Sequence, residues 1–160
     1  MGPDTVVIAS ANKRVCETLN IASGATLSSI YAGTTSFCNR LTGTGTLASH
    51  STFVVEQKLD IAGEGFGTFT VDGRLNVRGD WILSCGASGA SDRIVGAGVL
   101  DLSEAVLVPQ FASKSFGSYL VAKGVTPVGY QNLVLPPRYL LDLADDKLYL
   151  RRNGFGIYVR

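Results

Sequence analysis

Residues 59–77 read Leu59-Asp60-Ile61-Ala62-Gly63-Glu64-Gly65-Phe66-Gly67-Thr68-Phe69-Thr70-Val71-Asp72-Gly73-Arg74-Leu75-Asn76-Val77. Two copies of one tripeptide, Leu-[Asn/Asp]-[Ile/Val/Leu], here flank a Gly-x-Gly-x-Phe element. In an extended strand alternate side chains point to opposite faces, so each copy sets two aliphatic residues on one face and an Asn or Asp on the other. The tripeptide returns at Leu19-Asn20-Ile21, Leu100-Asp101-Leu102 and Leu141-Asp142-Leu143. The glycine element returns at Gly43-Thr44-Gly45-Thr46-Leu47 and Gly96-Ala97-Gly98-Val99-Leu100, where it reads as a turn feeding a strand. Successive tripeptides stand 40, 16, 25 and 41 residues apart. Several of these intervals approximate one or two multiples of ~20, as stacked rungs with variable turns produce.

A unit of this size has too little apolar area to close a core alone, so neighbours must stack into a quasi-one-dimensional solenoid. The expected fold is all-β: a short right-handed parallel β-helix (β-solenoid) with a compact strand-rich C-terminal cap. One domain is expected over residues 1–160, with coils over about 18–110 and the cap over 111–160. Strand candidates are Val6–Ala9, Phe53–Val55, Thr68–Val71, Trp81–Leu83, Val99–Leu102, Ala105–Val108, Tyr119–Ala122, Leu133–Leu135, Tyr139–Leu143, Leu148–Leu150 and Gly156–Val159. No segment keeps a helical apolar period beyond about two turns, so helix should be negligible. The competing solution is an antiparallel β-sandwich or jelly roll, whose hairpins favour Asn-Gly or Asp-Gly turns. Asp72-Gly73 and Asn153-Gly154 are the two such dipeptides.

Composition agrees with a packed core. Of 160 residues, 46% are hydrophobic and 17% charged, the latter below the usual share of about 25%, which excludes disorder and a strongly solvated helical protein. Fourteen Lys+Arg against thirteen Asp+Glu leave a net charge of +1, too near neutral for a grip on nucleic acid or anionic lipid. No apolar run approaches the ~20 residues of a membrane-spanning helix, so no transmembrane segment is expected. The first apolar stretch, Thr5 to Ala11, follows acidic Asp4 and lacks a basic lead, so it does not read as a secretory signal. Cys16, Cys38 and Cys85 show no CxxC spacing, and His50 is the single histidine, so no zinc site is expected. The thiols read as small buried apolar groups, with one disulfide plus a free thiol as the alternative.

The stretch from Ser91-Asp92-Arg93-Ile94-Val95 to Gly98-Val99-Leu100-Asp101-Leu102 resembles the D-x-[IL]-x-V-x-G-x-[LV]-x-L unit of autotransporter passenger domains and autotransporter-associated β-strand repeat proteins. Downstream, Gly117-Ser118-Tyr119-Leu120-Val121, Gly129, Leu133-Val134-Leu135-Pro136, Tyr139-Leu140-Leu141 and Lys147-Leu148-Tyr149-Leu150 are similar to that family's ending. The resemblance covers residues 18–150 and is strongest over 91–150. Two features depart from it: Asp145-Asp146-Lys147 stands where Gly-Asn is usual, and the tail after residue 150 is too short for a translocating barrel. It therefore implies a secreted or cell-surface solenoid module rather than a complete autotransporter. The expected location is extracellular or at the outer cell surface, with a signal peptide outside this sequence. The implied role is structural and adhesive, with glycan or glycoprotein as the contact and end-to-end or edge association between copies as a possible oligomer.

Catalytic alternatives are narrow. His50 lies in the polar turn Ala48-Ser49-His50-Ser51-Thr52 with no nucleophile elbow, and reads as a solvated histidine. Gly43-x-Gly45-x-x-Ala48 only superficially matches a dinucleotide fingerprint, because strand rather than helix follows, so no cofactor is expected. Carboxylates are the one enzymatic option. Asn20, Asp60, Asn76, Asp101 and Asp142 share the outward position of the tripeptide, where stacking at ~4.8 Å would build an Asn/Asp ladder. Two carboxylates held that close share a proton, the basis of aspartic peptidases and retaining glycosidases. The alternative function is thus a secreted acid hydrolase acting on a glycoprotein such as mucin through a pair drawn from Asp60, Asp72, Asp80 and Asp101. Phe66, Phe69, Trp81, Phe111, Phe116, Tyr119, Tyr130 and Tyr139 read chiefly as core filler, with a sugar-stacking stripe as the other reading. Arg138, Lys147, Arg151, Arg152 and Arg160 read as a solvated edge that discourages strand-to-strand association, with acidic glycan or lipopolysaccharide binding as the other reading.

Overall fold

The computed structural model describes residues 5–8, 13–29, 33–48, 51–112 and 117–153. The chain runs in laps. β1 (Thr5–Ile8) and β2 (Lys13–Asn20) lead into β3 (Thr26–Ser29) and β4 (Thr35–Thr42), then β5 (Thr46–Leu47) and β6 (Thr52–Asp60). The next laps carry three strands each: β7 (Thr68–Val71), β8 (Arg74–Val77) and β9 (Asp80–Cys85), then β10 (Arg93–Val95), β11 (Val99–Asp101) and β12 (Val106–Phe111). β13 (Ser118–Lys123) and β14 (Thr126–Val128) follow, and β15 (Tyr139–Ala144) and β16 (Lys147–Arg152) close the sequence of strands. Two short 3-10 turns, Ala87–Gly89 and Tyr130–Asn132, are the only helical pieces among the described residues.

The lap-leading strands pair in parallel in the order β1-β3-β5-β7-β10-β13. Thr5 faces Thr26, Thr26 faces Thr46, Thr46 faces Thr70, Thr70 faces Val95 and Ile94 faces Ala122, so laps of 21 and 20 residues lengthen to 24, 25 and then 28. β2, β4, β6, β8, β9, β11, β12 and β14 form a second parallel sheet that divides into two columns. β6 pairs with β8 through residues 52–55 and with β9 through residues 58–60. Chain stacked on chain in this way is a β-solenoid, and parallel pairing through its whole body overturns the antiparallel sandwich as an alternative. Parallel pairing already joins β1 to β3 and still joins β11 to β14, so coiling extends on both sides of residues 18–110. Antiparallel strands cap the end of the first column, where β16 pairs with β13 and β15 pairs with β16.

The solenoid form explains the uneven spacing of the tripeptide. Leu19 and Leu59 lie in one column, two laps apart, on either side of Leu41. Leu75 and Leu100 face each other across a single lap in another column. The 16-residue step from Leu59 to Leu75 carries the chain round to that second column, and the copy at Leu141 belongs to the cap hairpin. Every interval is thus a whole number of laps within a column, a move between columns, or the step into the cap.

Inward side chains stack in register across laps. One column runs Leu19–Leu41–Leu59–Trp81–Leu107, another Phe53–Leu75–Leu100, and a third Phe69–Ile94–Ala122–Leu148. All but the terminal Leu19 are buried. The core reading holds for Phe69, Trp81 and Tyr119, which are fully enclosed. Phe111, Tyr130 and Tyr139 pack against the core from partly buried positions. Phe116, Arg160, His50 and the Gly156–Val159 strand candidate lie outside the described residues. Leu133–Leu135 forms no strand and contributes a single bridge from Val134 to Val106.

The recurrent glycine element owes its composition to the corners. Gly43 and Gly96 adopt φ of +114° and +132°, and a Cβ on either would run into the carbonyl oxygen of the lap beneath, Ile21 or Val71. The second glycine of each pair, Gly45 or Gly98, donates its N–H to that same oxygen at 2.9 Å, so the chain turns with its backbone in direct contact with the previous lap.

Truncation inside a stacked column should cost far more than truncation on the cap's open face. Leu75→Ala is expected to lower stability by about 2–5 kcal/mol. Leu143→Ala, at a site 38% exposed, should cost less than about 1 kcal/mol. Chemical denaturation of both variants measures the difference.

Candidate functional site

The four carboxylates singled out from sequence do not face one another on neighbouring strands. Asp60 stands between Thr42 and Ile82, Asp80 between Lys58 and Val106, and Asp101 between Asn76 and Val128. Asp72 lies in the corner after β7, exposed, accepting the Ala97 N–H at 3.3 Å. Asp60 pairs with Lys58 at 2.9 Å and accepts the Gly63 N–H at 3.2 Å. Asp80 is exposed at the start of β9. The Asn/Asp ladder exists only as the juxtaposition of Asn76 with Asp101.

Asp101 is the most strongly held of the four. Its carboxylate accepts the Ser103 hydroxyl at 2.7 Å, the Ser103 N–H at 3.2 Å and the Arg74 guanidinium at 2.8 Å. Burial pushes its pKa up, but the Ser103 and Arg74 hydrogen bonds and the Arg74 charge outweigh burial and leave it below the ordinary 3.8. Such a group is a fixed anion, the opposite of a carboxyl that retains its proton for acid catalysis.

Side chains with recognition chemistry converge elsewhere, at the corner where the laps lengthen. The turn after β6 and the ends of β9 and β12 meet there around a cleft of about 270 Å³ lined by Gly63, Gly65, Phe66, Ser84, Gln110 and Phe111, with Cys85 and Ala112 completing the wall. Phe66 is 49% exposed, unusual for so large an apolar ring in this chain. Its ring packs directly over Gly86, where a Cβ would collide with the ring edge. Phe111 also lines the cleft, stacked on Tyr139 with centroids 5.1 Å apart and tilted against Tyr119 at 5.9 Å. The cleft is thus braced by the cap hairpin.

Asp92, fully buried, fixes the shape of this corner. Its two carboxylate oxygens accept the Gly67 N–H at 2.7 Å and the Ser84 N–H at 2.9 Å, joining the turn that carries Phe66 to the end of β9. Sequence reading placed Asp92 within a family-like motif without giving it this task. The available signal was the first position of the D-x-[IL]-x-V unit, where an acid directly precedes a core-facing strand. Cys85 lies beside it. Burial, reinforced by the Asp92 charge, pushes the Cys85 thiol up to about 12, so at neutral pH it is neutral and unreactive.

A second depression, about 190 Å³, lies over Thr18, Arg40, Thr42, Lys58 and Asp60. Its charge is largely consumed by the Lys58–Asp60 pair. Among the described residues no three His, Cys, Asp or Glu side chains gather as a metal site, and no helix is long and apolar enough to cross a membrane. Comparison with family models, curated proteins and solved structures finds no match.

Two substitutions test the electrostatics. Asp101→Asn should destabilise the protein by about 1–2 kcal/mol at neutral pH, a figure reduced by the partial exposure of Arg74. Because the folded chain ionises Asp101 more readily than the unfolded chain does, its contribution is complete above the ordinary value of 3.8 and is lost as pH falls through the lower folded value. The gap between variant and wild type in urea melts should therefore close in strong acid, and a gap independent of pH would refute the assignment. Asp92→Asn places an amide N–H₂ against backbone N–H donors, and should cost about 2–4 kcal/mol in the same melts.

Proposed function

We propose that the chain is a secreted or cell-surface, passenger-like β-solenoid module with a structural and adhesive role, and that it contacts carbohydrate or glycoprotein through the Phe66 cleft. The observation that carries this reading is the Phe66 ring, seated on Gly86 and half open to solvent at the mouth of a shallow cleft. A pyranose presents an apolar face of C–H groups and a rim of hydroxyls. The first suits an exposed aromatic ring, and the second suits the Gln110 amide, the Ser84 hydroxyl and the backbone polar groups of Gly63 and Gly65. The setting is consistent with function: in repeat folds the longer turns collect on one side, and that side is often the one that binds. Near-neutral net charge leaves recognition to stacking and hydrogen bonding rather than to long-range attraction.

Immobilised mucin-type glycoprotein and a glycan array should retain the wild-type chain. Phe66→Ala should weaken that binding about fivefold or more, the loss of about 1 kcal/mol of ring contact. Leu143→Ala should leave it unchanged. Equal retention of Phe66→Ala and wild type, or no retention of wild type on any glycan, would reject the reading. Cleavage of the mucin at mildly acid pH that vanishes in Asp60→Asn or Asp101→Asn would replace it with hydrolysis.

A further inference from the structure

Cys16 and Cys38 are direct register partners on β2 and β4, one lap apart. Neighbouring strands lie about 4.8 Å apart, and a disulfide spans Cα separations of roughly 4.4–6.8 Å, so the backbone already supplies the spacing. The two side chains share a face: Cys38 is fully buried in the core and Cys16 packs against that core from its half-buried position. The next residues along are linked as well, the Asn39 side-chain amide donating to Glu17 at 2.6 Å. A β-bulge adjoins each cysteine, between Arg14 and Cys16 on one strand pair and between Cys38 and Arg40 on the next, which leaves the local backbone free to adjust. Cys85 sits apart, in the corner beside Asp92.

We infer that Cys16 and Cys38 form a redox-dependent disulfide that fastens two consecutive laps of the solenoid, with a small-molecule disulfide such as oxidised glutathione as the oxidant. The inference does not rest on the glycan reading. Both residues are thiols in this structure. Exposure sets the order of events. Cys16, the accessible partner, loses its proton and its thiolate attacks one sulfur of glutathione disulfide, expelling one glutathione thiolate and leaving a mixed disulfide on Cys16. Cys38 then loses its proton and attacks the Cys16 sulfur, forming the Cys16–Cys38 bond and expelling the second glutathione. Two protein thiols are oxidised, one glutathione disulfide is reduced to two glutathione thiols, and the protons end on those products. Burial, and the neighbouring Glu17 charge after it, raise the Cys16 thiol pKa. The first attack is therefore slow at neutral pH and faster in mild alkali, and the finished bond has a poor leaving group that resists reduction.

The test is to incubate the folded chain with oxidised glutathione in mildly alkaline buffer, then denature, alkylate and map the peptides. The expected result is loss of two of the three thiols in a monomeric chain, a peptide joining Cys16 to Cys38, and an alkylated Cys85. Cys38→Val, which continues the aliphatic column of Val55 and Val77, should stop at one glutathione attached to Cys16. Cys16→Ala should leave Cys38 reduced. The oxidised wild type should unfold at higher denaturant concentration than the reduced form, with the shift abolished by dithiothreitol. Three alkylatable thiols after oxidation, a bond that includes Cys85, or an intermolecular link in place of the internal one would overturn the inference. The wild-type peptide map alone decides the matter if Cys38→Val fails to fold.

Discussion

The whole molecule depends on one geometric constraint: an inward side chain must stand on the equivalent side chain of the lap before it. Parallel register enforces this, since a slip of one residue would turn Leu41, Leu59 and Trp81 from the core to solvent together. No lap closes a core by itself, so the energy of burial is shared between neighbours rather than contained within any one turn. The leucine that opens each tripeptide is the conspicuous sign of this rule, but the rule is wider than the tripeptide. Phe53 continues the Leu75–Leu100 column, and Trp81 the Leu41–Leu59 column, without any Leu-Asx signature around them.

Stacking fixes the strands and frees the corners. A corner that must touch the backbone below accepts only glycine, as at Gly43–Gly45 and Gly96–Gly98. A corner that bulges outward tolerates extra residues, and these accumulate after β6 and β9. There the polar groups of the turns need partners that strand pairing no longer supplies, and the buried Asp92 carboxylate meets part of that demand by accepting two N–H groups from different laps. Shape at this corner is thus set by one anion, and the exposed Phe66 ring is a consequence of where Asp92 holds the turn.

Fold class was legible because period-two alternation and repetition are properties of the sequence itself. Some of the shortest strands were not among the candidates, and the reason is the same in each. β5 is the two residues Thr46–Leu47, β10 is Arg93–Val95 and β14 is Thr126–Val128 around a proline. Pairing from both sides, or from one strong neighbour, makes such fragments extended, and no local propensity announces it. Asp72-Gly73 looked like a hairpin turn and is instead a corner between β7 and β8, which belong to different sheets. The cleft was less legible still. Phe66 and Gln110 are more than one lap apart in sequence, and only lap lengths, which the tripeptide spacing concealed, bring them to one corner. Asp145-Asp146 forms a two-residue loop between Ala144 and Lys147, where an aspartate tolerates the φ of +55° that Asp145 adopts.

A stack that grows by exposing strand edges needs a means of stopping, and each column here ends differently. The first column reverses direction: β16 lies antiparallel on β13 and β15 antiparallel on β16, and that hairpin carries Arg151 paired with Asp142 at 3.2 Å and lying over the Tyr149 ring. Another ends at β14, three residues long, with Pro127 at its centre offering no N–H to a further strand. The last shrinks to the single Val134 bridge, followed at once by Pro136 and Pro137. Charge, proline and brevity are the recognised ways of blunting an edge. Their convergence at one end argues that termination is encoded by the side chains of residues 126–152 themselves, while Lys147, Arg151 and Arg152 lie on β16, inside the edge that β15 forms.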